Sequence, residues 1–268
     1  MRDLGAVQDR YAGDVGDYLK LGLLRWLTSS EAESGPRLGV VWYRTVDEVH
    51  KADGKHIAYL SNDHASARRM RPLDPDLYDR LAAVVATGRR NTSALADAGV
   101  LPADTVYFDE VLDLQQLPSA ARAARTELRK SWLERALAAT SECDLVFADP
   151  DNGIRSVLHP VGVHTTRSLK HAYLDELATF ADRGQSLVVY HHADRSAPVE
   201  QQAQLRLTLL AREIAVEPIA AVRASRGTTR FFLVAAAMAA STGDYLERRL
   251  QDLTESSWRG ELKVSWAS

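Results

Sequence analysis

A chain of 268 residues that is 46% hydrophobic and 26% charged has enough apolar material for a core and enough charge for solubility, and its length predicts a single domain over 1–268. A formal net charge of −3 excludes a uniformly basic surface of the kind that binds nucleic acid non-specifically, and no apolar run approaches the roughly 18 residues that span a bilayer. The opening carries charge at once (Arg2, Asp3, Asp9, Arg10) with no signal-peptide apolar segment, and the lone Cys143 excludes an internal disulfide or a cysteine-cluster metal site, so a cytoplasmic protein with no membrane partner is expected.

Leu19, Leu23, Leu24 and Leu27 recur at helical spacing and predict a helix over 17–27, preceded by Gly16 and closed by Ser34-Gly35-Pro36. The β-branched and aromatic run LGVVWY over 38–43 predicts a buried strand. A polar loop follows over 50–59, around Asp53-Gly54. A helix is predicted over 74–85, with Asp74 as N-cap and Pro75 in its first turn. A shorter helix covers 92–98, a short strand 105–108, and a long helix rich in Ala, Arg, Leu and Glu 118–140. The continuous apolar run over 144–148 reads as a central parallel strand and ends at Asp149-Pro150-Asp151-Asn152-Gly153. Next comes a helix over 169–182, with Leu169, Tyr173, Leu177 and Phe180 on one face and Gly184 as its cap. A buried strand over 186–190 ends at His191-His192. A helix over 198–214, strands over 215–223 and 229–235, and a closing helix over 244–253 complete the chain. This alternation predicts an α/β fold with a doubly wound, mostly parallel, Rossmann-like sheet. Residues 47–105 form a helical insertion able to cap the site.

In an open α/β sheet, ligands bind beyond the carboxyl ends of the strands. Two neighbouring strands joined by a right-handed crossover end here in polar groups: Asp149, Asp151 and Asn152 on one, Tyr190, His191 and His192 on the other. Pro150 fixes the backbone and Gly153 permits a sharp turn, an arrangement that aims Asp149 at a ligand. The competing reading is a capped turn, which Asp and Asn form in any case. Successive strand residues point to opposite faces, so one of the two histidines is expected to face the pocket. A second candidate is the run holding Gly13, Asp14, Gly16, Asp17 and Lys20. A helix start can hold an anion, but the aspartates call for a cation or a sugar hydroxyl in between; the alternative is a loop and N-cap. Asp53, Lys55 and His56 form a third cluster, suited to substrate contact. Arginines cluster at 68, 69 and 71, at 122, 125 and 129 (with Lys130), and at 223, 226 and 230. They read either as solvated helix faces or as a basic groove for phosphates. A phosphate-binding loop, a GxGxxG after the first strand, an HExxH and a nucleophile elbow are all missing.

On Ala12, Gly13, Asp17, Leu19 and Lys20, and on Asp149-Pro150 after a central strand, the chain resembles the bacterial large-subunit ribosomal RNA adenine-N6 methyltransferases. Those enzymes carry Ala-Gly-x-x-x-Asp-x-Leu-Lys and Asp-Pro-Pro-Tyr at these places. The chain also resembles, over most of its length, an uncharacterised bacterial family with a Gly-Asp-x-Gly-Asp opening, an Asp-Gly-Lys/Arg-His segment and the Asp-Pro-Asp-Asn-Gly turn. The first resemblance implies a methyltransferase-like fold acting on a nucleic acid or nucleotide. S-adenosylmethionine would be held by Gly13, Asp14, Asp17, Lys20 and Pro150, the target amine by Asp149, and a base edge by Asn152. Two departures stand out. Arg44, Thr45 and Val46 replace a Gly-rich turn after the first strand, and Asp151-Asn152 replaces Pro-Tyr. The residues by themselves leave two other readings open. One is a metal-dependent nuclease or phosphodiesterase, with Asp149, Asp151 and His191 or His192 on Mg²⁺ or Mn²⁺ and Lys55 or Lys170 on phosphate. The other is a non-catalytic nucleic-acid-binding module, which a site filled by Trp42 or Tyr43 would favour.

Overall fold

A computed structural model describes residues 12–29, 34–45, 56–61, 63–155, 162–238 and 240–268. Asp14 accepts the Asp17 amide N–H and caps α1 (Val15–Thr28), which leads to β1 (Leu38–Trp42). Three helices follow before the next strand: α2 (Ala67–Met70), α3 (Pro75–Ala86) and α4 (Thr92–Asp97). Next in the chain come β2 (Val106–Phe108), α5 (Arg122–Ala139), β3 (Leu145–Asp149), β4 (Gly153–Ile154), β5 (His171–Ala172), α6 (Leu174–Ala181) and β6 (Ser186–His192). The chain closes with α7 (Val199–Glu213), β7 (Val216–Ala224), β8 (Arg230–Ala237), α8 (Thr242–Glu255) and β9 (Leu262–Trp266).

The main sheet has seven strands in the order β2-β1-β3-β6-β8-β7-β9, and β4 and β5 pair separately. The strands β2, β1, β3 and β6 are mutually parallel. The strand β8 runs against β6, β7 returns to the common direction, and β9 reverses again. Both faces are covered, which is why β1 and β3 read as unbroken apolar runs rather than alternating ones. One face packs Val40, Trp42, Leu145, Phe147, Val188 and Phe232 against α1, α3 and α8. The other packs Val41, Val146, Ala148, Val189, Phe231 and Leu233 against α5, α6 and α7. Five leucines of α1, at 19, 21, 23, 24 and 27, are fully buried, each contributing about 1.5–3 kcal/mol. The described part of the segment between β1 and β2 joins this same core through Met70, Leu77, Tyr78, Leu81 and Leu95.

The helix expected over 169–182 begins late. Lys170 O and Ala172 O accept the Asn152 and Arg155 amides, so this backbone serves the turn after β3 and forms a 3-10 turn and β5 before α6 starts. The middle arginine cluster is neither a solvated face nor a groove at Arg125 and Arg129. Both are buried, Arg125 donating to Leu117 O (2.7 Å) and Arg129 pairing with Glu176. The final strand β9 escaped the sequence reading because LKVSW has no apolar run to mark it. Among the described residues no helix is long and apolar enough to cross a membrane.

Candidate active site

The carboxyl ends of β1, β3 and β6 and the start of the reversed β8 meet at one end of the sheet. Trp42 is the cross-strand partner of Asp149, Ala148 that of Val189, and His192 that of Arg230. Side chains alternate along a strand, so Trp42, Asp149, Tyr190, His192 and Arg230 fall on the face covered by α1. From α1, Lys20 reaches between two carboxylates. Its Nζ lies 2.8 Å from Asp17 Oδ1 and 2.9 Å from Asp149 Oδ2, and 4.7 Å above the Trp42 ring. Burial works against the Lys20 charge, yet Asp149 and Asp17 together hold the ammonium above its usual range. Burial pushes the Asp149 carboxyl above the usual aspartate range, and Lys20 pulls it part of the way back. Burial and the neighbouring Asp17 raise Asp14 in the same way, against the charge of Arg230. The Tyr190 hydroxyl is raised by burial and feels Arg230, Asp149 and Lys20, which puts it in the same cluster.

Arg230 lies across the first turn of α1, where a Cβ on residue 16 would overlap its guanidinium; only Gly16 leaves it room. Its Nη2 donates to Thr228 Oγ1 (2.8 Å) and Arg226 O (3.3 Å). Its Nε and the Trp42 Nε1 are buried donors without a hydrogen-bond partner among the described residues. Buried donors ordinarily find an acceptor, so both are candidates to meet a ligand oxygen.

The Asp149 to Gly153 turn is tightly built. Lys170 Nζ lies 3.2 Å from Asp151 Oδ2, Lys170 O accepts the Asn152 amide (2.8 Å), and Pro150 O accepts the Gly153 amide (3.2 Å). Gly153 has φ +92°, and a Cβ there would sit 2.6 Å from the His191 Cα and overlap its ring. That glycine is therefore a packing requirement of the turn.

His191 faces the other side of the sheet from Asp149. Its Nδ1 accepts the Ile154 amide (3.1 Å) and its Nε2 faces the Arg206 Nε–H (3.0 Å). Burial, followed by the Arg206 charge, pushes its pKa down to about 3. A ring held neutral by burial and by the adjacent Arg206 charge is poorly placed to carry a proton. His192 shares the Asp149 face and contacts Ala193 O through Nδ1 (2.8 Å).

The structure thus brings Gly13, Asp14, Asp17, Lys20, Asp149 and Tyr190 together, joined by Pro150, Asp151 and Asn152 in the adjoining turn. Gly13 takes part through its backbone, its N–H donating to Asp17 Oδ2 (3.2 Å) and its O accepting from the Tyr59 hydroxyl (3.2 Å). His56 O accepts the Val15 amide (3.0 Å) while its ring is exposed in a neighbouring cleft. Asp53 and Lys55 lie outside the described residues. Among the described residues no group of three or more His, Cys, Asp or Glu is placed to hold a metal ion.

Sequence reasoning did not place Trp42 or Arg230 among the residues around Asp149 and Lys20. Trp42 ends a strand, a signal that was readable. Arg230 begins a strand that runs backwards, and that direction is a property of the assembled sheet. Trp42 is 3% exposed and edge-on to Phe147, and the fully buried Tyr43 packs on Trp132. No protein-family model matches the chain, and comparison with curated proteins returns no relative.

Proposed function

We propose that this chain is a methyltransferase-like enzyme acting on a nucleic acid or nucleotide, with S-adenosylmethionine as methyl donor. One observation carries the reading. Lys20 and Asp149, 129 residues apart and drawn from the two segments that resemble adenine-N6 methyltransferases, meet at 2.9 Å at the carboxyl end of a central parallel strand. The insertion braces the α1 end of the site, since Tyr59 donates to Gly13 O and Tyr18 donates to Met70 O, in keeping with a cap.

The residues present fit the cofactor in one respect. The unpartnered Arg230 Nε and Trp42 Nε1 suit a ligand with carboxylate and ribose oxygens, alongside Gly13, Asp14, Asp17, Lys20 and Pro150. When bound, S-adenosylmethionine supplies an electrophilic methyl group. Asp149 keeps one oxygen on Lys20 and offers the other to the N–H of a base amine, fixing the direction of its lone pair. Asn152 offers a base-edge hydrogen bond, and Tyr190 an aromatic wall. The amine proton can leave after attack, so orientation supplies most of the acceleration.

A second reading, a non-catalytic nucleic-acid-binding module, is favoured by Trp42, which is 3% exposed and packs edge-on to Phe147 on the face that carries Asp149. Calorimetry with S-adenosylmethionine, with and without Mg²⁺ or Mn²⁺, separates the readings. The expected result is micromolar binding without metal that is lost in Asp149→Ala. Metal uptake with no cofactor binding would point to a nuclease or phosphodiesterase, and neither would leave the binding module.

A further inference from the structure

We propose that a cleft beside the active site is a phosphate subsite for a nucleotide unit. The cleft, of about 660 Å³, lies between Val15 in the first turn of α1, the side chains of His56, His64 and Ser66, the 225–227 loop, and Glu261 and Lys263. That volume falls in the roughly 300–1,000 Å³ range of small-ligand pockets. The proposal rests on the functional reading above for its substrate class, a nucleotide or nucleic acid.

Charge is the first argument. Arg223, Arg226 and Lys263 line the cleft, and Arg69 reaches in from the side to 3.4 Å from Glu261. The first and third arginine clusters of the sequence therefore meet on one carboxylate. Glu261 is 9% exposed and gripped by Arg226 through Nε and Nη2. It orders the guanidinium and leaves the Nη1 donors directed elsewhere. Arg223 gives one Nη1 hydrogen to Glu200 (2.5 Å) and retains its remaining donors. Among the described residues, four cations thus stand against two carboxylates, a local surplus on a chain of net charge −3. Ser66, Ser225 and the exposed rings of His56 and His64 add hydrogen-bonding groups, and Gly227 leaves its backbone open to a close ligand. Such a set of forked cations and small polar groups recognises phosphate oxygens.

Position is the second argument. Val15 and Lys20 lie on the same helix, about 7.5 Å apart along its axis at about 1.5 Å per residue. Arg226 belongs to the cleft, and its carbonyl accepts from Arg230 of the active site. Phosphate and base ends of one nucleotide unit can thus be served by two connected sets of residues.

The test is fluorescence anisotropy of a labelled single-stranded RNA oligonucleotide against a salt series, with ADP as competitor. Lys263→Glu alters the exposed rim of the cleft. Lys130→Glu makes the same charge change on α5, where the exposed Lys130 pairs with Glu134 at 3.8 Å. Lys263→Glu is expected to weaken binding about tenfold and to lower the log–log salt slope by about one, while Lys130→Glu stays within about twofold. Oligonucleotide binding that depends on Lys263 identifies a phosphate of a chain. ADP binding alone, with the same dependence, identifies a free nucleotide, and both carry the proposal. Equal losses in the two variants, or no binding of either probe at low salt, overturn it. Methyl transfer is read separately. Lys263-dependent binding with no S-adenosylmethionine uptake sinks the enzyme reading and keeps the cleft; cofactor uptake without such binding does the reverse.

Discussion

Lys20 and Asp149 each occupy a place that neither charge would hold alone. Both side chains are almost enclosed, and taking a single ion out of water costs several kcal/mol unless a partner is present. Replacing Lys20 by Met leaves Asp149 and Asp17 buried without their cation. Lys20→Met should therefore lower stability by about 3–5 kcal/mol near neutral pH. The pH dependence follows from the direction of the Asp149 shift. A carboxyl raised in the folded state favours folding while protonated and loses that contribution as pH rises through its folded pKa. Without Lys20 the shift grows, so the deficit of the variant should be larger at about pH 8 than at about pH 4.5. Urea midpoints at the two pH values measure this, and a deficit independent of pH would show that Lys20 acts through packing. At this scale the Asp149 turn and Lys20 were legible in the sequence, because each belongs to a local pattern: a strand end with Pro and Gly, and a helix start. Their contact was not legible, since it closes a loop of 129 residues.

At the scale of elements, a buried arginine ties α5 to α6 and to the strand between them and the Asp149 turn. Arg129 donates to both oxygens of Glu176 (2.5 and 3.0 Å), to Ser168 O (3.2 Å) and to His171 O (2.8 Å), and lies 4.8 Å over the Tyr173 ring. Of these acceptors, His171 lies in the part of the expected 169–182 helix that forms β5 instead, so Arg129 helps to hold that departure. Arg129→Met should destabilise by about 3–5 kcal/mol, and adding Glu176→Leu should restore most of the loss, because the unpaired buried charge goes with it. Chemical denaturation of the single and double variants checks this. A double variant no better than the single would place the stabilisation in the two backbone carbonyls. The spacing of Leu169, Tyr173, Leu177 and Phe180 suggested one helical face, yet backbone demand from Asn152 and Arg155 outweighed it.

For the whole molecule, the two cores lie on opposite faces of one sheet, and β1, β3, β6, β7 and β8 contribute residues to both. Neither face can lose its packing while the sheet persists for the other. Unfolding should then be one transition, with coincident midpoints by far-ultraviolet circular dichroism and tryptophan fluorescence. The probe is well spread, with Trp42 and Trp258 in one core and Trp132 in the other. Two separate midpoints would mean that the faces fold independently.

The sequence by itself determined the alternation of strands and helices, the buried runs that form β1 and β3, the cap at Asp74 and the turn at Asp149. Each of these rests on contacts within a few residues, where periodicity and backbone preference act. Only the tertiary structure decided that β8 runs backwards and brings Arg230 to the site, that His191 faces away from Asp149, and that Arg69 and Arg226 of two clusters converge on Glu261 while Arg125 and Arg129 of a third are buried. These depend on strand direction, on the register that sends each side chain to one face, and on which distant charges become neighbours, and none of them has a local signature in the chain.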